Sequence, residues 1–514
     1  MRTPSVLGSA LVVTAALACT ARAQDITLDV TGGSMPGSLT LDVYPAIQPV
    51  ELVLVLPSTN TGPVPISLFD PLDPRSLDVG LDLLSLAFLG LTGVDGHYRF
   101  TMPIVFEPSF VDTPLYWQAA TVSFTPLLLD RLSNTAVFRW AAAGAFRDRG
   151  VTFTNARAFS TVLPRADRKW MLVGGGQGLL LAQVATSSCE TYDPFTDSFS
   201  PAPSLTTPRS MHTATQLQDG TWLIAGGVNG SNDPQPSCEI YDPTTDTFTL
   251  VTPMNVPRMG HTATLLGNGK VLVTGGLLAM TVTPTQLSAI HDINNLTEIY
   301  DPVANTWTAG PNLTTPRAGH VAITRPDGKV LLAGGISWDT IPIIGWLPAV
   351  RRSCDLYDPV ANTIVGGPQM ATARSLIDPV DLGGNRWLMA GGISAVTLTN
   401  PGTPTNTAEI YNANTNTWST VGTMATARGN HKGWRLNATQ FLLAGGASGS
   451  ITSPTSLQTT EIFSTTTNTF SAGPSMTSAR AGAASFVMPS GQMQLFGGAS
   501  SGGSISNSTE WYFF

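Results

Sequence analysis

One phrase, with variations, is written seven times along this chain, and each copy opens on an arginine: Arg157, Arg209, Arg258, Arg317, Arg374, Arg428 and Arg480. A glycine pair follows each: Gly174-Gly175, Gly226-Gly227, Gly275-Gly276, Gly334-Gly335, Gly391-Gly392, Gly445-Gly446 and Gly497-Gly498. An acidic-x-aromatic triplet comes next, as Glu190/Tyr192, Glu239/Tyr241, Glu298/Tyr300, Asp355/Tyr357, Glu409/Tyr411, Glu461/Phe463 and Glu510/Tyr512. Seven residues beyond each of the first six aromatics stands a bulky apolar residue: Phe199, Phe248, Trp307, Ile364, Trp418 and Phe470. The arginines are 49 to 59 residues apart. A period of that size, with four marks in register, makes each copy one supersecondary unit that buries its faces against its neighbours.

The marks divide a unit into four strands. "HVAITR" (His320–Arg325) is a first strand, turned by "PDGK". "VLLAGG" (Val330–Gly335) is a second, apolar throughout, as a strand covered on both faces is. "TEIYD" (Thr297–Asp301) is a third, "PVAN" a turn, and "TWTA" (Thr306–Ala309) a fourth. A four-stranded antiparallel sheet cannot cover both its faces alone, but sheets arranged radially cover each other, which predicts a β-propeller. The glycine pair ends the second strand where side chains would crowd neighbouring backbone.

The pattern Pro-Arg, Gly-Gly, Glu-x-Tyr-Asp-Pro, Trp resembles the kelch repeat over residues 144 to 514. The resemblance implies a propeller of the secreted bacterial type, with the fold of the galactose-oxidase-like central domain. Three copies depart from it: Ala156-Arg157, Ile364 in the tryptophan position, and Phe463-Ser464-Thr465. The last copy stops at "TEWYFF", one strand short, while "GAFRDRGVTFTNAR" places Phe146 eleven residues before Arg157. In other copies the outer-strand residue lies ten before the arginine. An N-terminal strand therefore closes a seven-bladed ring and leaves no open edge.

Residues 24–140 lack the repeat. They alternate instead, in "ITLDV", "SLTLDV", "VELVLVL", "YRFTMPI", "YWQAATVSF" and "NTAVFRW". Such strands between Pro/Gly turns predict a small β-sandwich, similar in fold to immunoglobulin-like modules. The whole chain is thus all-β: a sandwich at 24–140 and a propeller at 141–514. Residues 1–23 read as a signal peptide, with Arg2, an apolar run from Val6 to Ala18 and an Ala21-Arg22-Ala23 cleavage site. That places the mature protein outside the cell or in the periplasm, with lipid attachment at Cys19 as the alternative. No later stretch is apolar enough for a membrane span. Cys189, Cys238 and Cys354 remain, each before an acidic residue in its own repeat, too far apart to pair and read as small buried side chains.

The net charge of −8 without a basic stretch argues against nucleic acid. Binding residues concentrate on loops held by rigid scaffolds. The longest second-to-third-strand loops carry Trp338, Asp339, Trp346, Arg351 and Arg352 in one copy, and His291 and Asp292 in another. The tryptophans suit sugar stacking or a protein anchor, or else bury themselves over the rim. The repeat arginines read as structural partners of the acids in their own units, against a basic ring for an anion. His212, His261, His320 and His431 share one slot, with Ser160, Ile377 and Ala483 in it elsewhere, so they are equivalent rather than convergent and predict no metal. Galactose-oxidase-like copper enzymes need tyrosine, histidine and a cysteine-crosslinked tyrosine, with one ligand from a following domain, which this chain lacks. Sialic-acid epimerases are exported seven-bladed kelch proteins, but no motif carries their residues here. Two functions stand: a monomeric, cofactor-free binding protein for an extracellular protein or glycan, or an exported carbohydrate-active enzyme with its site at the channel mouth.

Overall fold

The computed structural model describes residues 26–513 apart from 33, 36, 45–51, 66–75, 80–82, 84–86, 93–96, 105–112, 125–126, 140, 143, 180–181, 280–291, 342–344, 396–401, 451–452, 489–491 and 501–503. The signal-peptide reading of residues 1–23 lies outside these. Every element among the described residues is a strand or a turn. Among them no helix is long and apolar enough to cross a membrane. The chain divides into two compact units. One runs to Ala145 and takes in Val487–Met493 and Tyr512–Phe514; the other comprises Phe146–Phe486 and Gln494–Trp511.

The first unit has a three-stranded sheet of Thr27–Gly32, Gly37–Tyr44 and Tyr98–Ile104. A four-stranded sheet of Leu127–Arg139, Pro114–Phe124, Leu52–Ser58 and Phe88–Leu91 faces it. Alternation decides what meets between them. Leu28, Val30, Leu41 and Val43 point inward from one sheet, Val53, Val55, Trp117 and Ala119 from the other, and they form a single core. Away from it, Asp42 holds His97 and Arg99, each at 2.8 Å.

The second unit is built on seven four-stranded antiparallel sheets, here called blades 1 to 7 in the order of their arginines. Blade 1 has strands Thr161–Pro164, Trp170–Val173, Cys189–Asp193 and Ser198–Ala202, paired in that order. Blades 2 to 6 repeat the scheme. Blade 7 has Ala484–Val487, Met493–Phe496 and Ser508–Phe513, and its outer strand is Ala145–Thr152 from the start of the repeat region. Phe146 is buried there.

Blades cover each other as the apolar second strands require. Leu163, Met171, Val173 and Cys189 of blade 1 pack with Ile224 and Tyr241 of blade 2. The third-strand tyrosine packs at a tilt against the bulky residue of its own fourth strand, as in Tyr241–Phe248 and Tyr300–Trp307, both 4.9 Å between ring centres. Trp307 donates its indole N–H to the Thr252 carbonyl of the previous blade at 2.8 Å. The glycine pairs stand where blades come closest: a Cβ on Gly226 would lie 2.6 Å from the Arg258 carbonyl oxygen.

A backbone ring ties the blades together. The residue two places after each arginine has a positive φ: Phe159, Met211, Gly260, Gly319, Leu376, Asn430 and Gly482. Six of the seven amides donate to the carbonyl of the counterpart in the previous blade, Gly319 to Gly260 at 2.8 Å, Leu376 to Gly319 at 2.9 Å, Asn430 to Leu376 at 3.0 Å and Gly482 to Asn430 at 3.1 Å. Met211 donates to Phe159 at 3.3 Å, and Phe159 to Gly482 at 3.0 Å, which joins blade 1 to blade 7. The left-handed conformation costs a bulky residue about 1–2 kcal/mol, so Phe159 and Leu376 are held there by the ring itself.

The strand Ala145–Thr152 should matter for closure. Proline at both Asp148 and Arg149 removes whichever N–H faces Ser508–Phe513. We expect a loss of about 1–3 kcal/mol, the cost of an unsatisfied buried carbonyl, with association through the bared edge. Thermal melting and light scattering check this; an unchanged melting temperature and unchanged mass would remove the strand's role.

Candidate functional site

The repeat arginines begin each blade and are buried to the last atom or nearly so. Arg209 shows the arrangement. Its Nη2 lies 2.7 Å from Glu239 Oε1, and its Nη1 donates to the carbonyls of Gly226 (3.0 Å) and Ser237 (2.9 Å). Glu239 also accepts the amides of Thr206 (2.7 Å) and Thr207 (3.3 Å). One pair thus joins the entry segment to the second and third strands. All seven arginines make the equivalent contact, at 2.7 to 3.2 Å. Burial pushes the Glu239 carboxyl up, but the Thr206 amide and the Arg209 charge outweigh it and hold it below the usual carboxylate range. The arginines therefore offer no cationic surface to a ligand.

Blade 4 carries the shorter Asp355. Its carboxylate bonds to the Thr314 amide and hydroxyl, and Arg317 Nη2 stays 3.2 Å from it without a hydrogen bond. Two substitutions test this view. Arg258→Met strands the Glu298 carboxylate and should cost about 3–5 kcal/mol, whereas Asp355→Glu should stabilise. Urea midpoints of the two variants decide it; equal midpoints would remove the ion pair from the account of stability.

The histidines sit between blades. His212 Nε2 lies 2.9 Å from Thr161 Oγ1, His261 Nε2 3.1 Å from Thr213 Oγ1, and His320 Nε2 3.0 Å from Thr262 Oγ1, each threonine in the preceding blade. Burial, then the charges of Arg209 and Arg258, push His212 and His261 down to about 3. Burial, Arg428 and Lys432 do the same to His431, and His320 is lowered well below its ordinary value. An unfolded histidine titrates near 6.5. The depressed folded value means that this stability is full above about pH 6.5 and is lost as pH falls toward about 3. Carboxylates such as Glu239 add their loss only below about pH 4.5. We expect urea midpoints to start falling near pH 6.5, with a shallower slope in His261→Gln; a flat profile down to about pH 5 would contradict this.

Among the described residues no three His, Cys, Asp or Glu side chains converge on a metal position. Among the described residues the repeat tyrosines and cysteines do not form the copper set of galactose-oxidase-like enzymes. Tyr192, Tyr241 and Tyr300 donate to Asp197, Asp246 and Asn305 of their own blades. Cys189, Cys238 and Cys354 are free and buried; burial pushes Cys189 and Cys238 up to about 11 and Cys354 to about 12.

The second-to-third-strand excursions rise beside the ring. In every blade the residue after the glycine pair bridges to the residue after the arginine, from Ala158 with Gly176 to Ala481 with Ala499. In blade 4 the excursion is a hairpin, Ile336–Ile341 with Gly345–Val350. Trp338 turns inward: it is 7% exposed and packs with Ile293, Ala318, Ile336 and Leu277. Its indole is therefore not a sugar platform, because burying it covers the gap between neighbouring excursions. Trp346 pairs with Thr340 in the hairpin, and its side chain lies outside the described residues. Asp339 is exposed and bound to Arg351 at 2.7 Å. Arg352 and Asp292 are exposed, and His291 lies outside the described residues.

A second set of residues occupies one further position of the repeat. Four places after the arginines stand Thr161, Thr213, Thr262, Val321, Asp378, Lys432 and Ala484. Asp378 and Lys432 face each other across 3.5 Å on adjacent blades. The available signal was a charged pair at a position where three other copies carry threonine.

Comparison with known proteins supports the architecture. Residues 208–255 match the family described as Kelch motif. A solved structure titled "Novel fungal alcohol oxidase with catalytic diversity among the AA5 family, in complex with copper" has 16% identity and a TM-score of 0.53, covering 72% of this chain and 76% of that one. Another, "Structure of YjhT", has 15% identity and a TM-score of 0.44, covering 60% of this chain and 96% of that one. No curated protein sequence matches.

Proposed function

The chain is a kelch-repeat β-propeller, and we propose that it is an exported, non-catalytic binding protein that holds a protein or carbohydrate on the face bearing the ring and the hairpins. One observation carries the reading: the chemistry of the repeat is used up in building blades. The arginines and acids neutralise each other in the interior, and three of the four slot histidines bond to threonines. Differences between copies gather in the excursions, where Asp292, Asp339 and Arg352 are exposed. In this reading residues 1–23 are the export signal, 24–140 an immunoglobulin-like module and 141–514 the binding domain.

The alternative is an exported carbohydrate-active enzyme working at the channel mouth. The alcohol oxidase with a similar fold is described in complex with copper, and at 16% identity the likeness extends to the fold alone.

A glycan array probed with residues 24–514, with metal analysis of the same sample, separates the two. We expect selective binding without bound metal, weakened about tenfold when Arg352 and Asp292 are both replaced by alanine, as losing a charge-assisted contact does. Copper at one per chain would overturn the non-catalytic reading. Absence of glycan binding would leave the protein-partner form to be tested by pull-down with the same double variant as control.

A further inference from the structure

The first strands of neighbouring blades lie side by side next to the ring, as those of blades 5 and 6 do, and the residues that open them are not uniform. At the seam of blades 5 and 6 the repeat breaks in several ways at once. Asp378 and Lys432 bring opposite charges to a position that elsewhere holds threonine, valine or alanine. They approach to 3.5 Å, with side chains 39% and 31% exposed. The pair is longer than a close hydrogen bond, and each group keeps capacity for another partner. Pro379 follows Asp378 and lacks an N–H, and the first strand of blade 5 shrinks to Val380–Asp381, two residues where blade 6 has four.

His431 is the second observation. It is 2% exposed, yet neither ring nitrogen has a hydrogen-bond partner. Its counterparts His212, His261 and His320 all aim Nε2 at the threonine of the preceding blade. In blade 5 that threonine is replaced by Asp378, whose carboxylate turns to Lys432. The imidazole of His431 therefore lacks the threonine that its three counterparts bond to. A buried imidazole without a partner costs free energy. Asn430, half-buried on the ring beside it, spends its backbone on Leu376 and Gly482 and makes no side-chain hydrogen bond among the described residues.

We propose that Asp378, Lys432, His431 and Asn430 form a small polar binding site at this seam, beside the backbone ring, for a neutral polyhydroxylated ligand such as a sugar ring presenting adjacent hydroxyls. The chemistry selects that class. The site offers one carboxylate acceptor, one ammonium donor, and an amide and a neutral imidazole that each donate and accept. Charges of both signs side by side disfavour a strong anion or cation. A hydroxyl, donor and acceptor together, suits all four groups. The site rests on the carbohydrate form of the function proposed above and gives it a location apart from the hairpins.

Saturation-transfer NMR of residues 24–514 with glucose, galactose and N-acetylglucosamine tests it, alongside Asp378→Thr and Lys432→Met. Asp378→Thr restores the threonine found in blades 1 to 3 and gives His431 its partner, so the variant should melt at the same temperature or higher. Binding of at least one sugar, lowered roughly ten- to hundredfold in both variants, is the expected result. A sugar bound equally well by the wild type and Asp378→Thr would overturn the seam site while leaving a carbohydrate-binding loop face. No binding of any sugar by the wild type would overturn the seam site, and a captured protein partner would then still uphold the broader reading.

Discussion

A buried arginine held by a carboxylate is the interaction on which each blade depends. The guanidinium sits where entry segment, second strand and third strand meet, and it bonds to all three. In Arg209 this means Glu239, the Gly226 carbonyl and the Ser237 carbonyl. An ion pair taken out of water breaks even only when its remaining donors and acceptors are occupied. Here the amides before the arginine occupy the far side of the carboxylate, as Thr206 does for Glu239. Blade 4 shows how little tolerance there is: one methylene fewer in Asp355 draws the carboxylate to Thr314 and leaves Arg317 without its hydrogen bond.

From that anchor the other features follow in order. The arginine carbonyl reaches the glycine pair of the previous blade, so no Cβ is possible there, as Gly226 against Arg258 illustrates. Two residues further on the chain turns left-handed and joins the ring of amides and carbonyls. The ring and the shared outer strand of blade 7 hold a set of sheets that have few contacts except with neighbours. Rigidity near the axis leaves the excursions beyond the glycine pairs as the places where copies can differ at little structural cost.

The same economy explains where chemistry is found. Groups that catalyse in other proteins are here neutral and enclosed: histidines between blades, cysteines at the start of third strands, tyrosines tied to the turn of their own blade. The seam of blades 5 and 6 differs because the threonine that completes a histidine is missing, and a half-buried charged pair stands in its place.

Much of this was legible in the residues. The glycine pair, the Glu-x-Tyr triplet and Phe146 ahead of an incomplete last copy specify blades and closure through local rules: strand alternation, close approach and an unpaired edge. The excursions were not legible in the same way. For Trp338 the sequence left both a binding platform and burial over the rim open, and only the neighbouring excursion with Ile293 and Leu277 decided that it is buried. Asp378 and Lys432 were visible as departures from the repeat, but their meaning required His431 and the preceding blade. The sequence by itself determined the repeating unit, because its marks act within one sheet and its immediate neighbour. The tertiary structure alone decided which side chains are spent and which are open, because that depends on groups distant in the chain that are brought together between strands and across seams.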